Sequence, residues 1–231
     1  MIFTPKEERS IYKLQDGTRV PSCTTITDVM RKPAVERWNN IMGLRHIDTT
    51  KYVDELAKAG TLAHYFAECD IQGMERDPVY VAKFDSTDID RAETSLVKYQ
   101  EWRCAHDVKV IAVEKELVSE KHRFGGKLDL LIVLDGVLTL VDIKTSKAIY
   151  DDQYTQVAGY WIIARENAMC VPVGEAVLEL EKAAILRLGR DPSEGFEYRE
   201  MENVELQERR FMACRELYEV SGLLRKAAKA A

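Results

Sequence analysis

Three residues of this chain have the types and spacing for phosphate chemistry: Asp129, Asp142 and Lys144. They lie in the stretch GGKLDLLIVLDGVLTLVDIK, residues 125–144. Asp135-Gly136 separates two apolar runs of similar length, and an Asp-Gly pair between such runs is a strong hairpin signal, because both central residues of a type I′ turn need φ > 0. With those two residues as the turn, Leu134 faces Val137 and Val133 faces Leu138. Continuing that register sets Asp129 opposite Asp142. Directly opposed side chains have Cβ atoms roughly 4.5–5.5 Å apart, so the two carboxylates repel inside strands otherwise built of Leu, Ile and Val. A divalent cation between them removes the repulsion and gives both a reason to be there. Lys144, two residues past Asp142, projects from the same face. On its own this D-x-K pattern is weak, and a surface hairpin with scattered charges fits it equally well.

The rest of the chain must hold that hairpin in place. Lys109 to Ser119 reads as a strand carrying Glu114 in its middle. A helix over Asp151 to Arg165 puts Gln156 and Tyr160, four apart, on one face. Ala183–Leu188 and Phe196–Met201 read as a further hairpin, and a closing helix runs from about Glu205 to Lys229. Earlier, Asp16-Gly17 marks a hairpin within Ile11–Val20, Ser22 or Thr24 can cap a short helix, and Ala34–Leu44 reads as a helix with Trp38 as a core anchor. Tyr52–Cys69 reads as a helix broken near Gly60, with Thr61 capping the second piece. Ile89–Trp102 is another amphipathic helix. His64 and Glu68 share a face beside the apolar stripe of their helix, where a lone histidine is more often structural. The pattern is an α/β arrangement, a mixed α+β sheet flanked by helices and preceded by a helical lobe.

Composition bounds the function. The chain has 231 residues, 46% hydrophobic and 31% charged, with a net charge of −6. No global basic footprint announces nucleic acid, although a local basic groove is compatible with an acidic total. No apolar run approaches the roughly 20 residues of a membrane span, and MIFTPKEERS carries neither a signal-peptide core nor a transit-peptide pattern. The five cysteines are isolated in sequence and read as reduced thiols, mostly in the core.

Several short motifs in one order carry a resemblance: VPSCTTI, KPAVERW, GTLAH with His64, Glu114 on its strand, GGKLDLL with Asp129, LVDIKTSK with Asp142 and Lys144, and QVAGY with Gln156 and Tyr160. Together they resemble the RecB-like branch of the PD-(D/E)XK nuclease superfamily and are similar to its phage-encoded and mitochondrial genome-maintenance exonucleases. A Lys-Leu pair precedes Asp129 where the motif name has Pro. The resemblance implies a restriction-endonuclease-like core with an N-terminal helical lobe. Residues 1–231 would form a single nuclease domain, 22–106 the lobe and 107–231 the core. It implies a metal-dependent DNA exonuclease that hydrolyses phosphodiester bonds in replication, recombination or repair, in the cytoplasm of a bacterial or phage-infected cell. A structure-specific endonuclease and a catalytically silent DNA-binding protein are the alternatives.

The resemblance also assigns roles. His64, Asp129, Asp142 and the backbone carbonyl of Ile143 would hold Mg²⁺ or Mn²⁺. Lys144 would stabilise developing charge, Glu114 would serve a second metal or an outer-shell water, and Gln156 and Tyr160 would position DNA or Lys144. Glu68 is a weaker candidate. Trp38, Tyr65, Trp102 and Tyr160 are stacking candidates for a single strand or duplex end, with a core role weighed beside each. A single-strand-annealing or replication protein is a further expected partner. Missing cysteine clusters argue against an iron–sulfur cluster, and the lack of a Walker-type loop argues against ATP.

Overall fold

The computed structural model describes residues 1–5, 10–167, 170–173 and 176–230. Its centre is a five-stranded mixed sheet. In chain order the small N-terminal elements are β1 (Ile2–Phe3), β2 (Tyr12–Lys13), β3 (Arg19–Val20) and α1 (Cys23–Thr27). The helical lobe follows as α2 (Pro33–Leu44), α3 (Thr49–Gln72), β4 (Glu75–Arg76), α4 (Pro78–Val81) and α5 (Ser86–Cys104). The core then runs β5 (Val108–Ser119), β6 (Phe124–Leu134), β7 (Val137–Lys144), α6 (Asp151–Glu166), β8 (Cys170–Val173), β9 (Ala176–Glu179), β10 (Lys182–Leu188), β11 (Phe196–Glu200) and α7 (Val204–Ala230). The sheet order is β11-β10-β7-β6-β5, and only β7 and β10 are parallel. Parallel neighbours need a crossover, and α6 lies within the chain that joins them.

Each face of the sheet carries its own core. Leu130, Ile132, Val141, Ile143 and Leu186 pack under α3 and α5, with Leu62, Phe66, Tyr99 and Trp102. Phe124, Leu128, Leu140 and Ile185 pack under α1, α6 and α7, with Ile26, Val157, Ile163 and Phe211. The central hairpin forms in the register its Asp-Gly turn requires, from Leu134–Val137 back to Leu130–Val141. Asp135 and Gly136 have φ of 49° and 89°, as the turn type demands. The Asp16-Gly17 hairpin is also present, with Tyr12 opposite Val20 and Gly17 at φ 81°. Ser22 caps α1 by accepting from the Thr25 N–H.

Three expectations are corrected. Helix α3 runs unbroken from its Asp48 cap to a left-handed Gly73. Gly60 sits inside it because a Cβ there would come within 2.9 Å of Thr145 Oγ1. Thr61 bonds back to the Ala57 carbonyl instead of capping. Helix α2 buries no residue, so Trp38 is a half-buried neighbour of Tyr52, ring centroids 5.8 Å apart, and not a core anchor. Of the cysteines, Cys23, Cys69 and Cys214 are buried while Cys104 is exposed. The side chain of Cys170 and residues 6–9 of the N-terminal stretch lie outside the described residues. The pair β1–β4, helix α4 and the β8–β9 hairpin were not legible beforehand. No helix of the described residues is long and apolar enough to cross a membrane.

The β2–β3 hairpin is seated on β6 through a glycine. A Cβ on Gly125 would lie 2.2 Å from the Tyr12 ring, and the Gly125 N–H donates to the Pro21 carbonyl. Gly125→Ala is therefore expected to push the hairpin off the sheet. Overpacking of this kind costs roughly 1–3 kcal/mol. At roughly 2–4 °C per kcal/mol for a chain of this size, thermal unfolding should show a clear drop. An unchanged melting temperature would mean that the hairpin does not depend on this contact.

Candidate metal centre

The carboxylates come together because three adjacent strands bring them to one row. Val113 pairs with Leu130 and Lys115 with Leu128, so Glu114 on β5 stands opposite Asp129 on β6. Leu130 pairs with Val141, and the next register step faces Asp129 with Asp142 on β7. At that row the ladder gives way. The β6–β7 pairing ends at Leu130–Val141, and Asp129 Oδ2 accepts the Ile143 N–H at 2.7 Å. Glu114 has φ of 50°, a left-handed conformation costing roughly 1–2 kcal/mol in a residue with a Cβ. Leu128 and Leu130, two apart, pack into opposite cores, so the strand's alternation breaks at Asp129. The sheet forks at this point, one branch continuing as β5–β6 and the other as β7–β10.

Helix α3 reaches the fork from the lobe. His64 Nδ1 is 3.7 Å from Asp129 Oδ2, and one donor atom each from His64, Glu114 and Asp129 lies within 4.8 Å of the others. Two carboxylate oxygens and an imidazole nitrogen form a donor set that suits Mg²⁺ or Mn²⁺, so the residues fit such an ion. The placement differs from the expected ligand set in two respects. Glu114 joins the tight cluster, whereas Asp142, 2% exposed, sits with Lys144, whose Nζ is 2.6 Å from Asp142 Oδ2. That ion pair is not a well-directed hydrogen bond, and Oδ2 has no hydrogen-bond partner among the described residues. Ile143 meets the cluster through its N–H to Asp129.

Tyr160 and Gln156 approach from α6. Gln156 Nε2 donates to Tyr160 Oη at 2.7 Å and to Thr24 Oγ1 at 3.1 Å. Tyr160 lies against Gly126, where a Cβ would be 2.7 Å from the ring. Both line a cleft of about 1250 Å³ together with His64, Asp129, Asp142 and Lys144. Glu68, one turn after His64, accepts from Gln72 Nε2 at 2.9 Å. Of the stacking candidates, Tyr65 and Trp102 are 3% and 0% exposed and take the core role weighed beside stacking, under α3 and α5. Lys127 was missed. Its Nζ contacts Glu114 Oε2, and only the β5–β6 register, set by a turn at residues 120–123 with no Asp-Gly signal, could have placed it there.

Burial dominates the electrostatics. It raises Asp129 to about 7, with Glu114 adding to the rise and Lys144 and the Ile143 N–H opposing it. It raises Asp142 to about 6 against the pull of Lys144, with Asp129 adding to the rise. It raises Glu68 to about 7, helped by Glu114. Burial lowers His64, which favours the neutral imidazole a metal needs. For Lys144 burial pulls downward, but Asp142 and Asp129 together raise it overall.

No protein-family model matches the chain, and no curated protein is similar to it in sequence. Among the solved structures that overlap loosely with the chain are the following two. One is an alkaline exonuclease, LHK-Exo, from Laribacter hongkongensis: 15% identity, 91% of this chain and 94% of that one, TM-score 0.36. The other is described as the crystal structure of SSO0001: 13% identity, 72% of this chain and 74% of that one, TM-score 0.35. Likenesses at this level carry no argument about the site, which stands on its own geometry.

A pH dependence follows from the raised carboxyls. Folding lifts Asp129, Asp142 and Glu68 above their ordinary 3.8–4.5, so the folded state holds protons the unfolded state has released. Stability of the metal-free protein should therefore fall as pH rises from about 4 to about 7. His64 works in the opposite sense near its ordinary 6.5, and the surface residues Asp16, Glu36, Asp77, Asp135 and Asp191, whose carboxyls folding lowers, do so at the acid end of the range. Melting curves without divalent ions should show this decline, Asp129→Asn should flatten it, and Mn²⁺ should restore the melting temperature at pH 7 but not at pH 4.5. A metal-free stability that rises steadily across this range would contradict the assignment.

Proposed function

We propose that this chain, as one domain over residues 1–231, is a divalent-metal-dependent deoxyribonuclease that acts as an exonuclease. The observation carrying the proposal is the row Glu114–Asp129–Asp142 at the fork of the sheet, with His64 brought to it from the lobe and Lys144 beside it. Folding alone does not favour that row, whereas phosphodiester hydrolysis uses each of its members. His64, Glu114 and Asp129 would hold the ion, with Asp142 next to them. A bound Mg²⁺ or Mn²⁺ supplies a water of lowered pKa and neutralises charge on the phosphate. Lys144 keeps its ammonium at the same place and donates to negative charge as it develops at phosphorus. Asp142 holds that ammonium, and Gln156 and Tyr160 fix the wall past which a backbone would run.

The cleft explains how an acidic chain can take a polyanion. Beyond the carboxylate row its walls carry Arg19, Arg123, Arg215, Arg225 and Lys226 against Asp28 and Glu219. The local balance is basic although the whole chain is at −6. Phage or bacterial DNA replication, recombination or repair is the setting this activity would serve.

End-labelled single- and double-stranded DNA tests the reading. Hydrolysis is expected with Mg²⁺ or Mn²⁺, little with Ca²⁺, and none with EDTA. Asp129→Asn and Lys144→Met are each expected to lower turnover by about 100-fold or more. A closed circular substrate should resist the enzyme, and its cleavage would turn the reading to an endonuclease. Full activity in chelator would remove the proposed mechanism. His64→Ala is expected to weaken Mn²⁺ binding in calorimetry and to be partly rescued by high Mn²⁺. A lower melting temperature with unchanged affinity would make His64 a packing residue.

A further inference from the structure

Lys127 has no role in the chemistry above. Its cross-strand partner on β5 is Glu116, directly opposite, yet its Nζ contacts Glu114, two residues along the same strand. Glu116 is instead the acceptor for Ser10 Oγ at 2.5 Å. The lysine thus leans toward the fork, to the carboxylate that already holds a strained backbone. Lys144 does the same for Asp142 on the other side of Asp129. Each outer carboxylate of the row has its own ammonium, and the central one, Asp129, has His64 and the Ile143 N–H.

The charges then count in a definite way. With every carboxyl ionised, as a bound cation favours, Glu114, Asp129 and Asp142 supply three negative charges and Glu68, within electrostatic reach of Glu114 and Asp129, a fourth, while Lys127 and Lys144 return two, leaving a formal −2. One divalent cation neutralises that total. A second would meet two fixed ammoniums in a poorly solvated fork, where like charges repel far more than in water.

We propose that Lys127 is a built-in counter-ion for Glu114, standing where a second cation would otherwise be needed, so that this centre takes a single divalent ion. The inference rests on the metal-centre reading but not on the identity of the substrate. It makes Lys127 a positioning residue: it fixes Glu114 against Asp129 and sets the ion count, without touching the scissile bond. At 43% side-chain exposure it can be replaced without opening a core.

Calorimetric Mn²⁺ titration of the full chain at pH 7.5 tests this, with circular dichroism confirming that each variant is folded. The parent and Lys127→Arg, which keeps the charge, are expected to bind one ion. Lys127→Gln is expected to bind two, as the formal charge deepens from −2 to −3. Two ions in the parent, or one ion in both the parent and Lys127→Gln, would overturn the inference while leaving a metal centre in place. No ion bound by the folded parent would remove both the centre and the inference. Nuclease assays on the same samples keep a failure of the activity separate from a failure of the count.

Discussion

Mutual repulsion among carboxylates held in one row is the constraint the rest of the structure answers to. Glu114, Asp129 and Asp142 occupy successive strands, and a regular antiparallel ladder would press them side by side. The sheet does not accept that arrangement unmodified. Its ladder lapses at the row, Glu114 turns to positive φ, and Asp129 takes a backbone N–H from Ile143 in place of a strand partner. Each departure is unfavourable alone, and together they open the fork in which a cation has room. The apolar cores above and below, complete on both faces, are what hold a locally unfavourable row in place.

The helical lobe is tied to the same point by packing that has little to do with the chemistry. Helix α3 delivers His64 only because it continues past Gly60, and Gly60 is there because Thr145, just after β7, approaches too closely for a side chain. The same helix buries Leu62, Tyr65, Phe66 and Cys69 against the sheet, so its rotation, and with it the direction of His64, is fixed by the core. On the opposite side Gly126 and Gly159 leave space for Tyr160, Phe211 and Cys23. Glycines on both sides of the cleft therefore act by permitting close approach, and the polar groups inherit their positions from that approach.

The sequence made the central hairpin legible because Asp135-Gly136 specifies turn and register together. From that turn alone the opposition of Asp129 and Asp142 followed, and the structure keeps the register up to the last pair before them. Helices α5, α6 and α7 were legible from apolar spacing for the same local reason. What could not be read was non-local. The register of β5 against β6 is constant from Ser119–Phe124 to Val113–Leu130, but the turn that sets it, residues 120–123, carries no Asp-Gly signal, so neither Glu114's place opposite Asp129 nor Lys127's contact could be counted out beforehand. Gly60 was taken for a helix break because its reason, Thr145, lies far away in sequence. Trp38 was taken for core because its stripe is apolar, yet α2 buries no residue and leaves Trp38 half-buried against Tyr52 of α3.

The basic wall and the acidic row give the cleft its direction. Arg215 is anchored by the His122 carbonyl and by Glu219, and Arg123 follows at the start of β6, so part of the positive wall is fixed before any ligand arrives. A polyanion entering along that wall would meet the concentrated carboxylates at the fork, where its own charge would be repelled unless something positive intervenes. Lys144 and Lys127 temper that repulsion from either side of Asp129 without cancelling it. On the proposed reading a divalent ion neutralises the remaining negative charge, and a phosphate then meets a site that no longer repels it. On that reading binding of the ion and productive approach of a phosphate are a single linked event, set by charges that the fold fixes independently of either.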